Sequence, residues 1–370
     1  MALVSQQMEK IKHKLGIFIL NYNGLEWLKK TIVNIINNSP NTDVIIIDNN
    51  SQDQSVNYIK QNFPEIKLIE HKKNYGFSKG YNKVLLNKND FNYDYFIIMN
   101  NDVLVEKNWL MPIYKLITDD NIGIIQPKIK NLKKNNMFDY AGACGGFIDI
   151  TGIPFCRGRL LNTLEKDNGQ YDETIDIFWA SGCCLIIESN LFHELNGFDE
   201  DFYMYQEEID LCWRAQSSNK IKKCCPQSVV YHYGSGTLKE QNNIKHFYNH
   251  RNNILLLLKN MNIKWLIKIL PIRIIMDYLI IIYYFISGIS YMIYTSPLYL
   301  HEKYRPNNTN GIEKIKISLL IISAHISIVF LLPKVIKKRM PIVRKKIYPR
   351  SIILDYYFNQ KKTFSQLKKF

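Results

Sequence analysis

The chain has 370 residues, of which 46% are hydrophobic, with only 17 glycines and 12 prolines. Disordered and collagen-like classes are excluded, and the length fits one large or two medium domains. The formal charge is +15. Seven cysteines without a CxxC pair argue against a disulfide scaffold, a zinc ribbon or a redox motif, and favour a reducing compartment.

The stretch Met1–Lys14 has no apolar core after a basic start, so no secretory signal is expected and the cytoplasm is favoured. Beyond it, short runs rich in Ile and Val predict buried strands at Leu15–Leu20, Val44–Ile47, Ile66–Ile69, Tyr95–Met99 and Ile122–Gln126. Helical periodicity fills the gaps at Leu25–Ile36, Gln54–Asn62, Ser78–Leu86 and Asn108–Ile117. Alternation of this kind predicts an α/β fold, with a mostly parallel sheet flanked by helices and ligands bound beyond the carboxyl ends of the strands. Polar clusters stand at those ends: Asn21-Tyr22-Asn23, Asp48-Asn49-Asn50-Ser51, Asn74-Tyr75-Gly76 and Asn100-Asn101-Asp102.

From Asn131 to Ile177 periodicity fades, and Gly142, Gly145, Gly146, Gly152 and Gly158 suggest turns and a hairpin insertion. A strand is expected again over Ala180–Ile187, a helix over Gln206–Gln216 and a strand over Val229–Tyr233. After Lys259 the composition changes. Tyr278–Leu300 carries no charge, and Ile317–Pro333 carries none apart from His325 if protonated. Three arrangements fit: helices lying in a membrane interface, a spanning hairpin, or a soluble helical domain. Six tyrosines in the first run favour the interface. Between Pro333 and Phe370 twelve Lys/Arg accompany one acid, Asp355. Such a tail suits anionic lipid heads or nucleic acid, or is simply solvated.

Asp102 ends a strand beside two asparagines, where a carboxylate can hold Mg²⁺ or Mn²⁺ against a diphosphate, or cap an Asx turn. Asp48 can meet a ribose or a base edge, or close its own loop. Near Asn74, the glycines Gly76 and Gly80 allow close backbone approach, and Lys79 can face phosphate. Neither GxGxxG nor GxxxxGK[ST] occurs where a dinucleotide or P-loop site needs it. The densest cluster is Gly197–Arg214. On a helix Glu207, Asp210 and Arg214 share a face, so Arg214 can anchor Asp210 while Glu208 points elsewhere, free to act as a general base or simply solvated at a helix N-terminus. His232 ends the last strand and is a ligand only if Asp102 lies near.

In register, these clusters resemble the family 2 glycosyltransferases with the GT-A fold, closest to the rhamnosyltransferase-like branch of bacterial polysaccharide assembly. The matching residues are Tyr22-Asn23, Val44–Ser51, Asn74–Asn82, Met99–Val103, Ala180-Ser181-Gly182, Gly197–Arg214, Tyr231-His232 and Arg251-Asn252 with Lys259. The resemblance spans residues 14 to 260 and implies a GT-A domain over 1–260, followed by a membrane-associating helical region over 261–370. It implies nucleotide contacts at Tyr22, Asn23, Asp48, Asn74, Gly76, Lys79 and Asn101, and a divalent cation (Mg²⁺ or Mn²⁺) at Asp102 and His232. Trp179, Ser181 and Gly182 would line the sugar and acceptor site. Glu208 would be the base, supported by Glu207, Asp210 and Arg214. The implied reaction is inverting transfer of one sugar from a nucleoside-diphosphate donor, dTDP-rhamnose first. The acceptor would be a glycan or lipid-linked, at the anionic cytoplasmic surface of the bacterial inner membrane. No nucleic-acid partner is implied. Glu208 stands where the family often has Asp, and Asn100 where stricter DxD enzymes have an Asp. Those departures leave a weak or inactive sugar-nucleotide binder as the alternative.

Overall fold

The computed structural model describes residues 13–134, 136–234, 243–294, 311–340 and 347–367. Contacts divide the chain into two units, 1–239 with 344–370, and 240–343.

In the first unit the buried Ile-rich runs become β1 (Leu15–Asn21), β2 (Asp43–Asp48), β3 (Lys67–Glu70) and β4 (Tyr95–Asn100). Helices α1 (Leu25–Asn38), α2 (Ser55–Asn62) and α3 (Gly76–Leu85) connect them. Such crossovers force parallel pairing, and β3, β2, β1 and β4 lie side by side in parallel. The rest of the sheet is mixed. It comprises β5 (Val103–Val105), β6 (Ile122–Asn131), β11 (Ile175–Asp176), β12 (Cys184–Glu188) and β13 (Ile221–His232). Strand β12 runs against both β4 and β6, while β6 and β13 are parallel. Ile17, Ile19, Ile97, Met99 and Ile186 are fully buried, together with Leu28, Ile32 and Ile35 of α1. The expected strand at 229–233 is the end of a twelve-residue strand, and α4 (Leu110–Leu116) falls within its expected range.

The aperiodic segment holds a second, four-stranded antiparallel sheet: β7 (Gly146–Ile148), β8 (Pro154–Cys156), β9 (Arg159–Leu160) and β10 (Thr163–Leu164). The chain end is built onto this sheet. Tyr348 N donates to Ile148 O at 2.9 Å, and Ile352 N, at the start of α10 (Ile352–Tyr357), donates to the buried Asp149 Oδ2 at 2.8 Å. Phe364 packs against Phe147 and Phe155. The contacts thus group this segment with the first unit, whereas the sequence expectation put it with the helical region after 260. Residues 347–367 are tied down by apolar and aromatic anchors, and Arg350 and Lys361 pair with Asp355. Their charge is thereby partly neutralised within the first unit.

The second unit contains α7 (Ile244–Asn260), α8 (Ile263–Tyr294) and α9 (Gly311–Lys337). Helices α8 and α9 pack closely where Gly288 meets Gly311; a Cβ on Gly288 would lie 2.8 Å from the Gly311 carbonyl. Ser318 Oγ donates to Ile281 O at 3.2 Å. A polar cluster ties all three helices together: buried Asp277 on α8 meets His250 of α7 at 2.6 Å, His325 of α9 at 2.9 Å, and Arg273. Ile263–Met292 and Gly311–Lys337 are long and apolar enough to cross a membrane, and their outer faces expose Leu279, Ile282, Ile286, Leu319, Ile326 and Phe330.

Candidate active site

At the strand ends, short polar side chains stitch neighbouring loops together. Asn21 Nδ2 donates to Asp48 Oδ1 at 3.1 Å, and Ser51 donates to both Asp48 oxygens, by Oγ at 2.6 Å and by its backbone N at 2.8 Å. Asp48 therefore shapes the β2 loop. Asn23, with φ of 49°, locks the same loop: its N donates to Ser51 Oγ at 2.9 Å and its Oδ1 accepts from Gln52 N at 2.6 Å. Asn101 donates to Asn21 Oδ1 at 2.8 Å. Asn74 Oδ1 accepts from Gly76 N at 2.8 Å and from Asn49 Nδ2 at 2.9 Å, which fixes the entry to α3. Tyr22 is half-buried beside these loops. Lys79 does not extend freely toward a phosphate; its ammonium pairs with Glu200 at 2.9 Å on the surface.

Strands β4 and β13 bring Asp102 and His232 together. Val103 of β5 pairs with His232, and the result is an Asp102 Oδ1 to His232 Nε2 distance of 3.2 Å. His232 Nδ1 meets Asp139 Oδ1 at 2.9 Å. All three side chains are buried. Burial alone would lower the imidazole pKa, but the two flanking carboxylates outweigh it and push it up to about 10. At neutral pH the ring is therefore a cation donating to both. Asp139 is the member the sequence reading missed. It lies in the stretch without periodicity, and its only signal is a carboxylate in a Gly-rich turn region.

The helical half of the site is α6 (Glu207–Arg214). The expected anchor forms: Arg214 Nε donates to Asp210 Oδ2 at 2.7 Å, and its other nitrogens donate to the Leu195 and Gly197 carbonyls. Glu207 does not join it. Its Oε2 is buried without a hydrogen-bond partner, and burial, helped by the charge of Glu208, holds its carboxyl well above the usual range. Glu208 is half-buried, and burial pushes it up to about 7. Asp102 and His232, two of the three residues expected to meet, are in direct contact.

The loop before α6 is strained. Tyr203, Tyr205 and Gln206 all have positive φ, at 62°, 67° and 64°. The Tyr203 carbonyl accepts from Phe77 N and Ser78 N, the first free amides of α3. Gly76, at φ 74°, has to be glycine because a Cβ would strike the Tyr203 ring at 2.5 Å. Trp179 is spent on packing: it covers Gly146 and donates from Nε1 to Phe147 O at 2.8 Å. Ser181 is buried, with its backbone N on Gln126 Oε1 at 2.9 Å, and Gly182 lies under the Phe77 ring.

No group of three or more ligating side chains occurs among the described residues. A cation here would therefore take an imidazole nitrogen and a carboxylate oxygen from the protein and complete its shell from substrate. The residues fit that role. Asp139 fixes the ring so that Nε2 faces Asp102, and these two side chains would hold the ion.

Residues 16–186 match glycosyl transferase family 2. A low-salt glycan biosynthesis hexosyltransferase of Haloferax volcanii is 23% identical over 65% of this chain and 74% of its own length. A rhamnosyltransferase of Escherichia coli is 22% identical over 59% of this chain and 82% of its own. An N-acetylglucosaminyl-diphospho-decaprenol L-rhamnosyltransferase of Mycobacterium tuberculosis is 23% identical over 51% and 66%. Among solved structures, a mannosyltransferase from Pyrobaculum calidifontis has a TM-score of 0.48 at 10% identity, covering 87% of this chain and 88% of that one.

Proposed function

We propose that this chain, a glycosyltransferase whose residues 16–186 form a family 2 domain, transfers one sugar with inversion from a nucleoside-diphosphate donor, dTDP-rhamnose first, to a glycan or lipid-linked acceptor. The observation that carries the reading is the Asp102–His232–Asp139 chain at the carboxyl ends of the strands. The relatives named as rhamnosyltransferases support the donor, and the mycobacterial one, named for a diphospholipid acceptor, supports the lipid link.

Asp102 and His232 would hold Mg²⁺ or Mn²⁺, which would neutralise charge growing on the departing diphosphate. Asp139 keeps the imidazole oriented. The Asn21, Asp48, Asn49 and Asn74 hydrogen bonds shape the loops around the nucleotide. Glu208 takes the acceptor hydroxyl proton. A carboxyl raised to about 7 is a stronger base than an ordinary one and is still half-ionised at neutral pH. The buried, neutral Glu207 beside it adds no competing charge. Asp210 and Arg214 act by pinning α6 to the 195–197 turn.

The two long apolar helices of the second unit support a reaction at a membrane surface. Helix α7 carries Lys245, His250 and Arg251 along α8 and α9, from Asn243 beside Glu313 to Lys259 beside Met340. A spanning hairpin would carry that polar helix into hydrocarbon, so α8 and α9 lie in the interface with their apolar faces down.

The test is release of nucleoside diphosphate from a panel of nucleotide sugars with Mn²⁺. Release by the wild type that is lost in Glu208→Gln supports the reading. Binding of a nucleotide sugar without release from any of them overturns turnover and leaves a binder. Flotation with anionic vesicles checks the surface, with binding lost in Leu279→Lys/Leu319→Lys.

A further inference from the structure

We propose that Arg159, roofed by Tyr140, is an anion subsite on the Glu208 side of the centre that takes a phosphate group of the acceptor; this rests on the glycosyl-transfer reading above. Arg159 opens β9 and is only 8% exposed. Four arginines are buried in the described residues, and three are satisfied. Arg214 and Arg273 bind carboxylates. Arg157 donates to the carbonyls of Cys144 and Glu173. Among the described residues Arg159 meets no carboxylate and no carbonyl: its Nη2 reaches Cys156 Sγ at 3.8 Å, its guanidinium also bonds the Tyr140 side chain, and its buried Nε has no partner. A buried cation in that condition destabilises a fold unless something anionic arrives.

The surroundings point to a ligand. The Tyr140 ring, 61% exposed, lies 3.9 Å from the guanidinium carbon. A guanidinium stacked on that ring presents a planar fork of donors, a group that suits phosphate oxygens. Cys156 is the shared neighbour, because its thiol feels both the Arg159 and the Glu208 charge. Tyr205, in the strained corner before α6, feels both Tyr140 and Glu207. Tyr140 directly follows Asp139, the partner of His232. Tyr140 and Cys156 thus tie the guanidinium to Asp139 on one hand and to the α6 end on the other. The donor diphosphate already has Asp102 and His232. A second cation, carried by the small antiparallel sheet next to α6, falls to the acceptor, and a sugar linked through a diphosphate supplies the matching anion.

Two measurements decide it. In steady-state kinetics, the wild type should show a KM at least tenfold lower for a sugar on a lipid diphosphate than for the same sugar on a phosphate-free lipid. Arg159→Gln should erase that difference and leave the donor KM within twofold, and Arg159→Lys should restore part of it. By calorimetry in EDTA, inorganic pyrophosphate should bind the wild type and not Arg159→Gln. Arg159→Met should raise Tm, since it removes an unpaired buried charge. An equal rise in donor KM makes this a donor-phosphate site and overturns the assignment. A lower Tm with unchanged KM values makes Arg159 structural and also overturns it. If the wild type transfers no sugar at all, the glycosyl-transfer reading fails, while pyrophosphate calorimetry still answers for the subsite: equal binding to wild type and Arg159→Gln overturns it.

Discussion

The carboxylates at the strand ends and those on α6 are held by opposite means. Asp102 and Asp139 flank one imidazole and together favour a proton on it. Glu207 and Glu208 have no cation beside them, and burial drives both upward. On the proposed reading, pairing suits a place for a metal ion, whereas burial without a counter-ion suits a group that exchanges protons. One site therefore contains two electrostatic regimes, and the contrast can be broken at either end.

The largest effect is expected at the unpaired end. Glu208→Gln keeps the shape and loses the base, and kcat should fall about 10²- to 10⁴-fold. Retention of more than a tenth of the activity would place the base elsewhere. At the paired end, Asp139→Asn leaves Asp102 and His232 in place but loosens the ring. A loss of about 10- to 100-fold is expected, partly recovered by raising Mn²⁺. A loss that excess metal does not touch would mean that Asp139 serves only the fold.

The pH profile sharpens the same contrast. Glu208 acts when ionised, so kcat/KM should climb about tenfold per pH unit below pH 7 and level off above it. A profile flat from pH 5.5 to 8 would contradict the half-buried base. The smallest effect is on stability. A carboxyl whose folded pKa is raised favours folding below its unfolded pKa, near 4.5, and that contribution is lost as pH rises through the folded value. Wild-type Tm should therefore drop by a few degrees between pH 5 and pH 8, and Glu207→Gln should flatten the drop. Parallel curves for the two proteins would show that Glu207 is not the titrating group.

Much of this contrast was legible in the residues. The Ile-rich runs at 15–20, 44–47 and 95–99 could only be buried strands. The i, i+4 spacing of Asp210 and Arg214 gave their ion pair directly. Asp102 and His232 were judged relevant on condition that they met, and they do. What could not be read depended on contacts far apart in sequence. Asp139 matters through a residue 93 positions away. Strands β9 and β10, two residues each, are too short to show a period. The tail read as a run of lysines because charge outweighs spacing in a linear scan. Its anchors Tyr348, Ile352 and Phe364 become visible only against Ile148, Asp149 and Phe147. Arg159 looked like any loop arginine until its surroundings proved empty of acid.

The corner ahead of α6 has a mechanical consequence. Its three left-handed residues persist because the first amides of α3 grip the Tyr203 carbonyl. Those same amides open the loop that greets the nucleotide. A displacement at either end of that link is thus transmitted to the other, and under the proposed mechanism the base and the donor loop would move together.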